Sequence, residues 1–385
     1  MSKIKPVYRY KIHDKLYDVT DFVKIHPGGT DMFNYLKSDT NITPMIYAYH
    51  KNPKSILEVL SKYEVPLEDI TIEYDTNYSY DKYCELKDLV YSHMYENKIP
   101  LYWSNKEIAY NAFMFCVYLG LWGYCFWNPN DLFMLILLGF CIIGFNALVF
   151  HETSHYAGFK NQKINKIISS FIVSPFLCVD EWKDRHNYLH HCFTNTEYDN
   201  DFDGSKFILR HSNNHTLHAH HKLQYLYASL LFILNGYDRT IAFVKAKDYV
   251  SVFASVFIYY WFGIINALIL FGMIGLVSTF IDNLSHIQYE CIQINTEHKN
   301  DFLYNQVSSS MNYRTDDFMT RMISFGLDIQ IEHHLFPTIP HSSLRKIQQV
   351  VRNYCHKNNV PYIEKPNIFQ ASWSYISYLY KMGNQ

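Results

Sequence analysis

The segment LFMLILLGFCIIGFNALVFHETSH (residues 132–155) joins an uncharged run of 19 residues to two histidines spaced four apart. An apolar run of roughly 20 residues is what a membrane-spanning helix requires. His151 and His155 are about one helical turn apart, so both imidazoles lie on the same face if the helix continues. The segment therefore predicts a membrane helix that presents two histidines at the membrane surface.

A second uncharged run of 20 residues, 108–127, precedes the first, and only NPND (128–131) separates the two. So short a turn forces an antiparallel hairpin whose outer ends emerge on the same side of the membrane. The turn contains no Lys or Arg, whereas Lys160, Lys163 and Lys166 follow the hairpin. The positive-inside rule therefore predicts that the HETSH histidines lie on the cytosolic side.

The longest uncharged run, 249–281, has 33 residues, which is too long for one membrane helix and somewhat short for two. We expect two helices that break near Gly263 to Asn266, giving about four transmembrane helices in total. An even number of crossings returns the later part of the chain to the side of HETSH. Two shorter apolar stretches, 164–179 and 223–237, are expected to lie in the membrane interface. The expected fold class is thus mainly α.

Two further histidine clusters follow, HNYLHH (186–191) and QIEHH (330–334), and His186 and His190 repeat the spacing of four. Neutral imidazole binds Fe, Zn, Cu and Ni, so the spacing alone does not select the metal. Seven histidines are too many for one tetrahedral zinc ion, and they fit two metal ions. The candidate ligands from the three clusters are His151, His155, His186, His190, His191, His333 and His334.

A separate histidine motif, HPGG (26–29), lies near the start of the chain, and His50 follows 24 residues after His26. Glycines after the first histidine let the backbone turn away, and His50 would supply the opposite axial ligand of a haem. Two imidazoles on haem iron give a closed site suited to electron transfer. With YDV (17–19) and FV (22–23), this segment closely resembles the cytochrome b5 haem-binding domain.

From residue 150 to residue 362 the chain resembles the membrane fatty-acid desaturase family, and its cytochrome b5-fused front-end members in particular. The matching strings are HETSH, WKDRHNYLHH (182–191), FTN (193–195) and GLDIQIEHHLFP (326–337). Gln330, which replaces histidine at the head of the third cluster, is the mark of front-end members. The resemblance implies a di-iron centre held by the histidine clusters, with His286 as an additional ligand. It also implies an assisting role for Asn283, and Gln330 either touches iron weakly or orients a water molecule.

The resemblance implies that two non-haem irons and O2 insert a cis double bond into an acyl lipid or acyl-CoA, on the carboxyl side of an existing one (Δ5/Δ6-type). Haem b, held by His26 and His50, would pass on electrons from an NADH-cytochrome b5 reductase. The expected division is a haem domain of α+β type at 1–75, a linker at 76–106 and a desaturase domain at 107–385. The haem domain and the histidines would face the cytosol from the endoplasmic reticulum membrane. No catalytic residue beyond the metal ligands is expected.

Several alternatives stay open. The same scaffold serves acyl-chain hydroxylation and desaturation of sphingoid bases, and the chain could instead be a membrane-tethered haem electron carrier with a silent second half. HETSH also fits the HExxH motif of zinc proteases, with Glu152 as general base, but that assignment leaves five of the clustered histidines unexplained. Regiochemistry, chain length and head group are not determined by the sequence.

Other features indicate no further site. DNDFDG (199–204) begins like a calcium loop, but Arg210 stands where the twelfth-position acid is required; its carboxylates are expected to orient metal-binding histidines. The histidine-rich stretch 211–221 is not expected to bind metal.

The eight cysteines form no CxxC pair, which argues against a disulfide framework or a thiolate site. A net charge of −2 gives no indication of nucleic acid as a partner, and residues 1–5 lack the apolar core of a secretory signal.

Overall fold

The computed structural model describes residues 7–30, 32–34, 36–66, 71–172, 177–199, 207–245, 248–292, 300–313, 320 and 323–385. Helices dominate, which confirms the expected mainly α class. The N-terminal part combines them with a four-stranded sheet of order β3-β1-β2-β4, in agreement with the α+β composition expected there. The strands are β1 Arg9–Ile12, β2 Lys15–Asp18, β3 Thr40–Asn41 and β4 Glu64–Val65; the helices α1 Thr43–Tyr49 and α2 Pro53–Leu60 lie between β3 and β4.

The segment predicted to be a linker contains a long packed helix, α3, Asp81–Glu96. Its side chains Tyr83, Leu86 and Val90 have no exposed surface and belong to one apolar core. That core also takes in residues of the N-terminal sheet and of the C-terminal third of the chain, such as Tyr10 and Ile347. The N-terminal module is therefore packed directly against the rest of the molecule.

Lys87 of α3 is buried inside this core, where burial lowers its pKa to about 7. Its ammonium group donates to the backbone carbonyls of Tyr47 and, at 2.6 Å, His50. These carbonyls lie at the C-terminal end of α1, where helix carbonyls lack partners within the helix and attract cations. Lys87 thus fixes the end of α1 to α3.

The predicted first hairpin is confirmed. Helix α4, Asn105–Trp127, begins with a capping box in which Ser104 and Glu107 satisfy each other's backbone amides, an arrangement that fixes where a helix starts. A four-residue turn, 128–131, leads into α5, Leu132–Phe145. Asp131 accepts from the amide of Met134 at 3.1 Å and so caps the start of α5.

The second pair of apolar helices breaks where the sequence predicts, at Gly263, whose φ of 77° suits glycine. The two helices are α11, Tyr249–Phe262, and α12, Ile264–His286. The break lies beside the turn of the first hairpin, because Asn266 donates to the Pro129 carbonyl at 2.8 Å and Trp261 to the Phe126 carbonyl at 2.8 Å. Both pairs of helices therefore reverse direction at the same end of the helical layer.

Among the described residues, three helical stretches are long and apolar enough to cross a membrane: Asn105–Trp127, Leu132–Ser154 and Ile264–His286. The fourth predicted span, Tyr249–Phe262, has 14 residues, or about 21 Å of helix against a hydrocarbon core of about 30 Å. Large apolar side chains such as Phe133 and Phe253 stand exposed on these helices, as expected of surfaces that face lipid.

The remaining elements complete the chain. The stretch predicted to be interfacial, 223–237, lies, apart from its first residue, in helix α10, Gln224–Lys245, which exposes Leu226, Leu230 and Leu234 on one face. The strands β5 Asn312–Tyr313 and β6 Glu364–Lys365 form a parallel pair. The other helices are α6 His151–Ser154, α7 Gln162–Ile172, α8 Val179–Trp182, α9 His191–Phe193, α10 Gln224–Lys245, α13 Tyr289–Ile292, α14 Phe302–Ser308, α15 Gln330–Leu335, α16 His341–Lys357 and α17 Ile368–Asn384, with π-helical segments at Asn146–Phe150 and Lys183–His190 and 3-10 turns at Phe22–Ile25, Met32–Asn34, Ser61–Tyr63 and Ala219–Leu223.

Candidate metal centre

Eight histidines from four stretches of chain meet in two adjacent groups, and within each group the possible ligand atoms lie within 4.8 Å of one another. Two nitrogens bound to one ion are at most roughly 4 Å apart, twice a metal–imidazole bond. Each group could therefore hold a metal ion after small side-chain adjustments. The first group is His151, His155, His186, His191 and His333; the second is His190, His286 and His334.

The second histidine cluster divides between the two groups because its backbone is π-helical over Lys183–His190. A π-turn bonds residues five apart, so it aligns positions i and i+5. The Nε2 atoms of His186 and His191 accordingly lie 3.2 Å apart, in the first group. His190, which α-helical spacing would place in the same group as His186, belongs to the second group instead. The first cluster also follows a π-helical segment, Asn146–Phe150.

The third cluster also serves both groups, because neighbouring residues of α15 point in different directions. His333 joins the first group, and His334 joins the second together with Gln330. The Gln330 amide nitrogen lies 3.1 Å from His286 Nε2 and 3.4 Å from His334 Nε2. The Gln330 amide therefore lies beside the second group and contacts two of its three histidines. The Asn283 amide nitrogen donates to the Thr279 carbonyl on its own helix at 2.6 Å.

Partners outside the two groups hold the Nδ1 atoms of four of the histidines. The Asp199 carboxylate lies 3.0 Å from His190 Nδ1, as predicted for the acidic residues near this cluster; Asp201 and Asp203 lie outside the described residues. A partner on Nδ1 fixes the ring orientation and leaves Nε2 directed inward. The other Nδ1 contacts are His155 with the Tyr49 hydroxyl at 3.0 Å, His286 with the Ser309 carbonyl at 3.0 Å, and His334 with the Thr194 hydroxyl at 3.1 Å and Gln306 Oε1 at 3.3 Å.

The histidines of the two groups and Gln330 also contain buried polar atoms that have no protein partner. They are His151 Nδ1, His155 Nε2, His191 Nδ1, both ring nitrogens of His333, and Gln330 Oε1. Each such atom costs about 1–3 kcal/mol when it stays unpaired, and a bound metal ion removes that cost. Burial, with neighbouring imidazoles as a second cause, lowers the pKa of His155, His191, His333 and His334 well below the usual value. These rings are therefore neutral and have lone pairs available. The donor set fits metal ions that prefer nitrogen ligands.

Glu152 does not act as the free general base that the zinc protease alternative requires. One carboxylate oxygen accepts from His341 Nδ1 at 2.7 Å and from its backbone amide at 3.1 Å. The other accepts from the indole nitrogen of Trp103. His341, whose ring stacks on His333 with 5.1 Å between centroids, lies beside the first group. No sequence signal marks it, because it falls outside the three clusters.

Glu332, between Ile331 and His333, holds α15 in place. It accepts from Asn312 at 2.8 Å and from the Tyr362 hydroxyl at 2.7 Å, and burial raises its pKa to about 7. The carboxylate therefore faces away from the histidine groups.

The histidine-rich stretch 211–221 does not join either group among the described residues. His220 and His221 both bond through Nε2 to the Phe207 carbonyl, at 2.7 and 3.0 Å. His221 Nδ1 accepts from the backbone amide of His218 at 3.0 Å. These contacts organise the start of α10. All eight cysteines are unpaired, as expected.

His26 and His50 face each other in the N-terminal module, with 6.1 Å between ring centroids. Two imidazoles on opposite sides of one iron have ring centres roughly 6 Å apart, given metal–nitrogen bonds of about 2 Å. Both Nδ1 atoms are held by backbone carbonyls, His26 by Gly29 at 3.1 Å and His50 by Ile46 at 3.2 Å. This leaves both Nε2 atoms available, so the pair fits the axial ligation of a haem.

The glycines of HPGG have distinct functions. A Cβ on Gly28 would lie 2.9 Å from Cε1 of His26, so a larger residue there would displace that ring. Gly29 has a φ of 84°, a conformation that other residues rarely adopt. The motif therefore sets both the turn and the position of the His26 imidazole.

Comparison with known proteins gives the family. The sequence model of the fatty acid desaturase family matches residues 129–366. The chain is 25% identical to acyl-lipid (8-3)-desaturase B of Dictyostelium discoideum, over 97% of this chain and 90% of the relative. It is 25% identical to acyl-lipid (9-3)-desaturase of Borago officinalis, over 91% and 85%, and 24% identical to Delta(8)-fatty-acid desaturase of Euglena gracilis, over 94% and 92%. No solved structure matches the chain significantly. Since the family match covers well over half of its length, the chain belongs to the fatty acid desaturase family, oxidoreductases that act on fatty acyl chains.

Proposed function

We propose that this chain is a front-end desaturase, which inserts a cis double bond on the carboxyl side of an existing one in a fatty acyl chain (Δ5/Δ6-type). Gln330 at the head of the third cluster supports this reaction, as do relatives named as (8-3), (9-3) and Delta(8) desaturases. Those names differ in regiochemistry, and mass spectrometry of the product identifies the position of the new bond. Two of the names contain acyl-lipid, which favours a lipid-bound acyl chain over acyl-CoA as substrate.

The observation that carries the proposal is the convergence of eight histidines, seven of them buried, among which His155 Nε2 and both ring nitrogens of His333 lack protein partners. We assign one non-haem iron to each group. When bound, the iron pair supplies, with O2, an oxidant strong enough to remove hydrogen from an unactivated methylene. Burial keeps imidazoles such as those of His155 and His333 neutral, and partners such as Asp199 and Gln306 orient the rings. Burial of the groups keeps water away from the reacting atoms.

We further propose that His26 and His50 hold haem b, which receives electrons one at a time from an NADH-cytochrome b5 reductase. The ring separation and the free Nε2 atoms of this pair support the assignment. The module at 1–75 would then be the electron donor of the desaturase domain at 107–385. Helix α3 packs directly against the N-terminal module and against the desaturase domain. This packing supports a fixed position of the donor, so residues 76–106 would act as a packed connection between the two parts.

For the membrane arrangement we propose four crossings in the endoplasmic reticulum, with the haem module and the histidines on the cytosolic side. The 128–131 turn and the break at Gly263 lie side by side at one end of the helices. This position supports two hairpins that open toward the same side of the membrane. Tyr249–Phe262 would cross with help from flanking residues or a locally thinned bilayer. Lys160 and Lys163, after the first hairpin, support the cytosolic side.

Expression in a yeast fed a range of unsaturated fatty acids, with lipid profiling by mass spectrometry, tests the proposal. The wild type is expected to add one double bond nearer the carboxyl end of a fed acid. His190→Ala is expected to make none while its haem absorption spectrum stays intact. A hydroxylated product would favour a hydroxylase instead. An unmodified fatty acid profile in wild-type cells would contradict the proposal, and so would full activity of His190→Ala.

A further inference from the structure

We propose that Tyr49 is the contact through which electrons from the N-terminal module enter the histidine-bound metal centre. The inference rests on the proposed function, since it requires haem at His26 and His50 and iron in the first histidine group. Tyr49 contacts His155 at Nδ1 and is not itself a candidate metal ligand. It therefore acts through His155, as a residue that positions this imidazole and couples it to the N-terminal module.

Tyr49 and His50 are neighbours in the chain, yet their side chains serve the two different sites. Tyr49 is the last residue of α1, and His50 follows it in extended conformation. The His50 ring faces His26, whereas the Tyr49 ring lies against His155 with 6.2 Å between centroids and 21° between planes. One peptide unit therefore joins a proposed haem ligand to a side chain that contacts a proposed iron ligand.

The hydrogen bonds of the Tyr49 hydroxyl determine how it meets His155. It lies 3.0 Å from the Asn187 carbonyl and 3.0 Å from His155 Nδ1. A carbonyl can only accept, so the single phenol hydrogen goes to Asn187 and His155 Nδ1 donates its hydrogen to the phenol oxygen. His155 is then the Nδ1–H tautomer, and its Nε2 lone pair points into the first group, where that atom has no protein partner.

Both ends of this contact are held by the surrounding structure. Lys87 fixes the carbonyls of Tyr47 and His50 at the end of α1. On the opposite side, Asn187 donates to the Ser154 carbonyl at 2.8 Å, which ties it to the turn that carries His155. The contact is therefore part of a fixed interface, and no large motion is needed to form it.

The transfer is balanced as a one-electron exchange. The ferrous haem iron is oxidised to ferric, and a ferric ion in the first histidine group is reduced to ferrous. No covalent bond forms or breaks. The Tyr49 phenol keeps its hydrogen, which stays hydrogen-bonded to the Asn187 carbonyl.

The test uses the full-length protein with both metals bound, in its oxidised state and without oxygen. A photochemical reductant delivers one electron to the haem, and the decay of ferrous haem absorbance reports transfer to the non-haem iron. Tyr49→Phe keeps the ring and removes the hydroxyl; we expect it to slow this decay roughly tenfold or more, the usual effect of losing such a partner. Its haem spectrum is expected to remain that of the wild type.

Tyr47→Phe is the matched control, because Tyr47 lies on the same helix and its hydroxyl also contacts a histidine, His13, at 3.1 Å. That histidine belongs to neither proposed site, so the control is expected to transfer electrons at the wild-type rate. Iron content is measured for each variant, and the decay rate is expressed per iron-loaded centre after reloading with ferrous iron. A wild-type rate per loaded centre in Tyr49→Phe would overturn the assignment of Tyr49.

The same measurement separates failure of this inference from failure of the proposed function. If the wild type contains no haem, or fewer than two non-haem irons per chain, the proposed function itself fails and the inference falls with it. If the wild type contains both and its haem is oxidised by the iron centre, only the comparison with Tyr49→Phe decides the route.

Discussion

The two proposed metal sites are both built from imidazoles, but they are supported in different ways. In the N-terminal module, Gly29 and Ile46 hold the rings through backbone carbonyls three and four residues away. In the histidine groups, the supports lie farther away in sequence, from nine residues for Asp199 at His190 to 140 for Thr194 at His334. A local support forms wherever its turn or helix forms, whereas a distant one requires the complete fold. The comparison therefore predicts that the haem site is robust and the iron centre fragile.

The largest expected effect comes from removing a ligand of the first group. His333→Ala should lose non-haem iron and all desaturated product, because both of its ring nitrogens are buried and unpaired by protein. Its haem spectrum should be unchanged, since the N-terminal site is supported locally. Elemental analysis and lipid profiling measure both. His218→Ala, in the histidine-rich stretch, is the control and should behave as wild type; loss of haem together with iron would remove the contrast between the sites.

The reciprocal change comes next. His50→Ala should abolish the haem spectrum and the product made with NADH, while two non-haem irons per chain remain. The reason is that His50 contributes no atom to either histidine group. Absorption spectroscopy and iron analysis on the same sample check this result. His13→Ala, which alters another histidine of the module, should keep haem; parallel loss of iron in His50→Ala would mean that the two sites are not independent.

An intermediate effect is expected from Asp199→Asn. The amide keeps the size of the side chain but weakens its contact with His190 Nδ1, and losing such a partner usually costs about 10–100-fold in metal affinity or activity. Titration with ferrous iron and product analysis measure the loss. Asp39→Asn, which alters an ion pair with Arg9 in the N-terminal module, should leave iron affinity unchanged. Equal affinities for wild type and Asp199→Asn would show that distant supports matter no more than local ones.

The smallest effect on product is expected from Lys87→Met, because Lys87 bonds to backbone carbonyls at the interface and to no ring nitrogen of either site. The folded-state pKa of Lys87 is lowered to about 7 from 10.5. Between these values the unfolded chain binds more protons, so the Lys87 contribution to stability rises with pH, by at most about 1.4 kcal/mol per pH unit. Denaturant unfolding at pH 7 to 10 should show this slope in wild type relative to Lys87→Met. Parallel pH profiles for the two proteins would contradict the burial of a titrating lysine.

Much of this organisation is predictable from the sequence because the signals are local. The uncharged runs predict the hairpin at 128–131 and the break at Gly263, and the three clusters together with His286 contain all eight histidines of the two groups. Local patterns do not reveal π-helical backbone, so the division that pairs His186 with His191 is not predictable from α-helical spacing. Nor do they reveal contacts made by tertiary packing alone, such as His341 with Glu152.

The burial of α3 determines where this chain can be cut and rejoined. Tyr83 of this helix donates to the Leu335 carbonyl at 2.5 Å, just past the third histidine cluster. A fragment that ends at residue 75 would expose the apolar surface that packs against Tyr83 and Val90 in the full chain. Such an exposed surface would tend to make the fragment aggregate. Grafting a foreign cytochrome onto this enzyme would likewise need a donor shaped to cover α3. A cut on either side of α3 therefore exposes apolar surface, because Tyr83 also ties the helix to the C-terminal third of the chain.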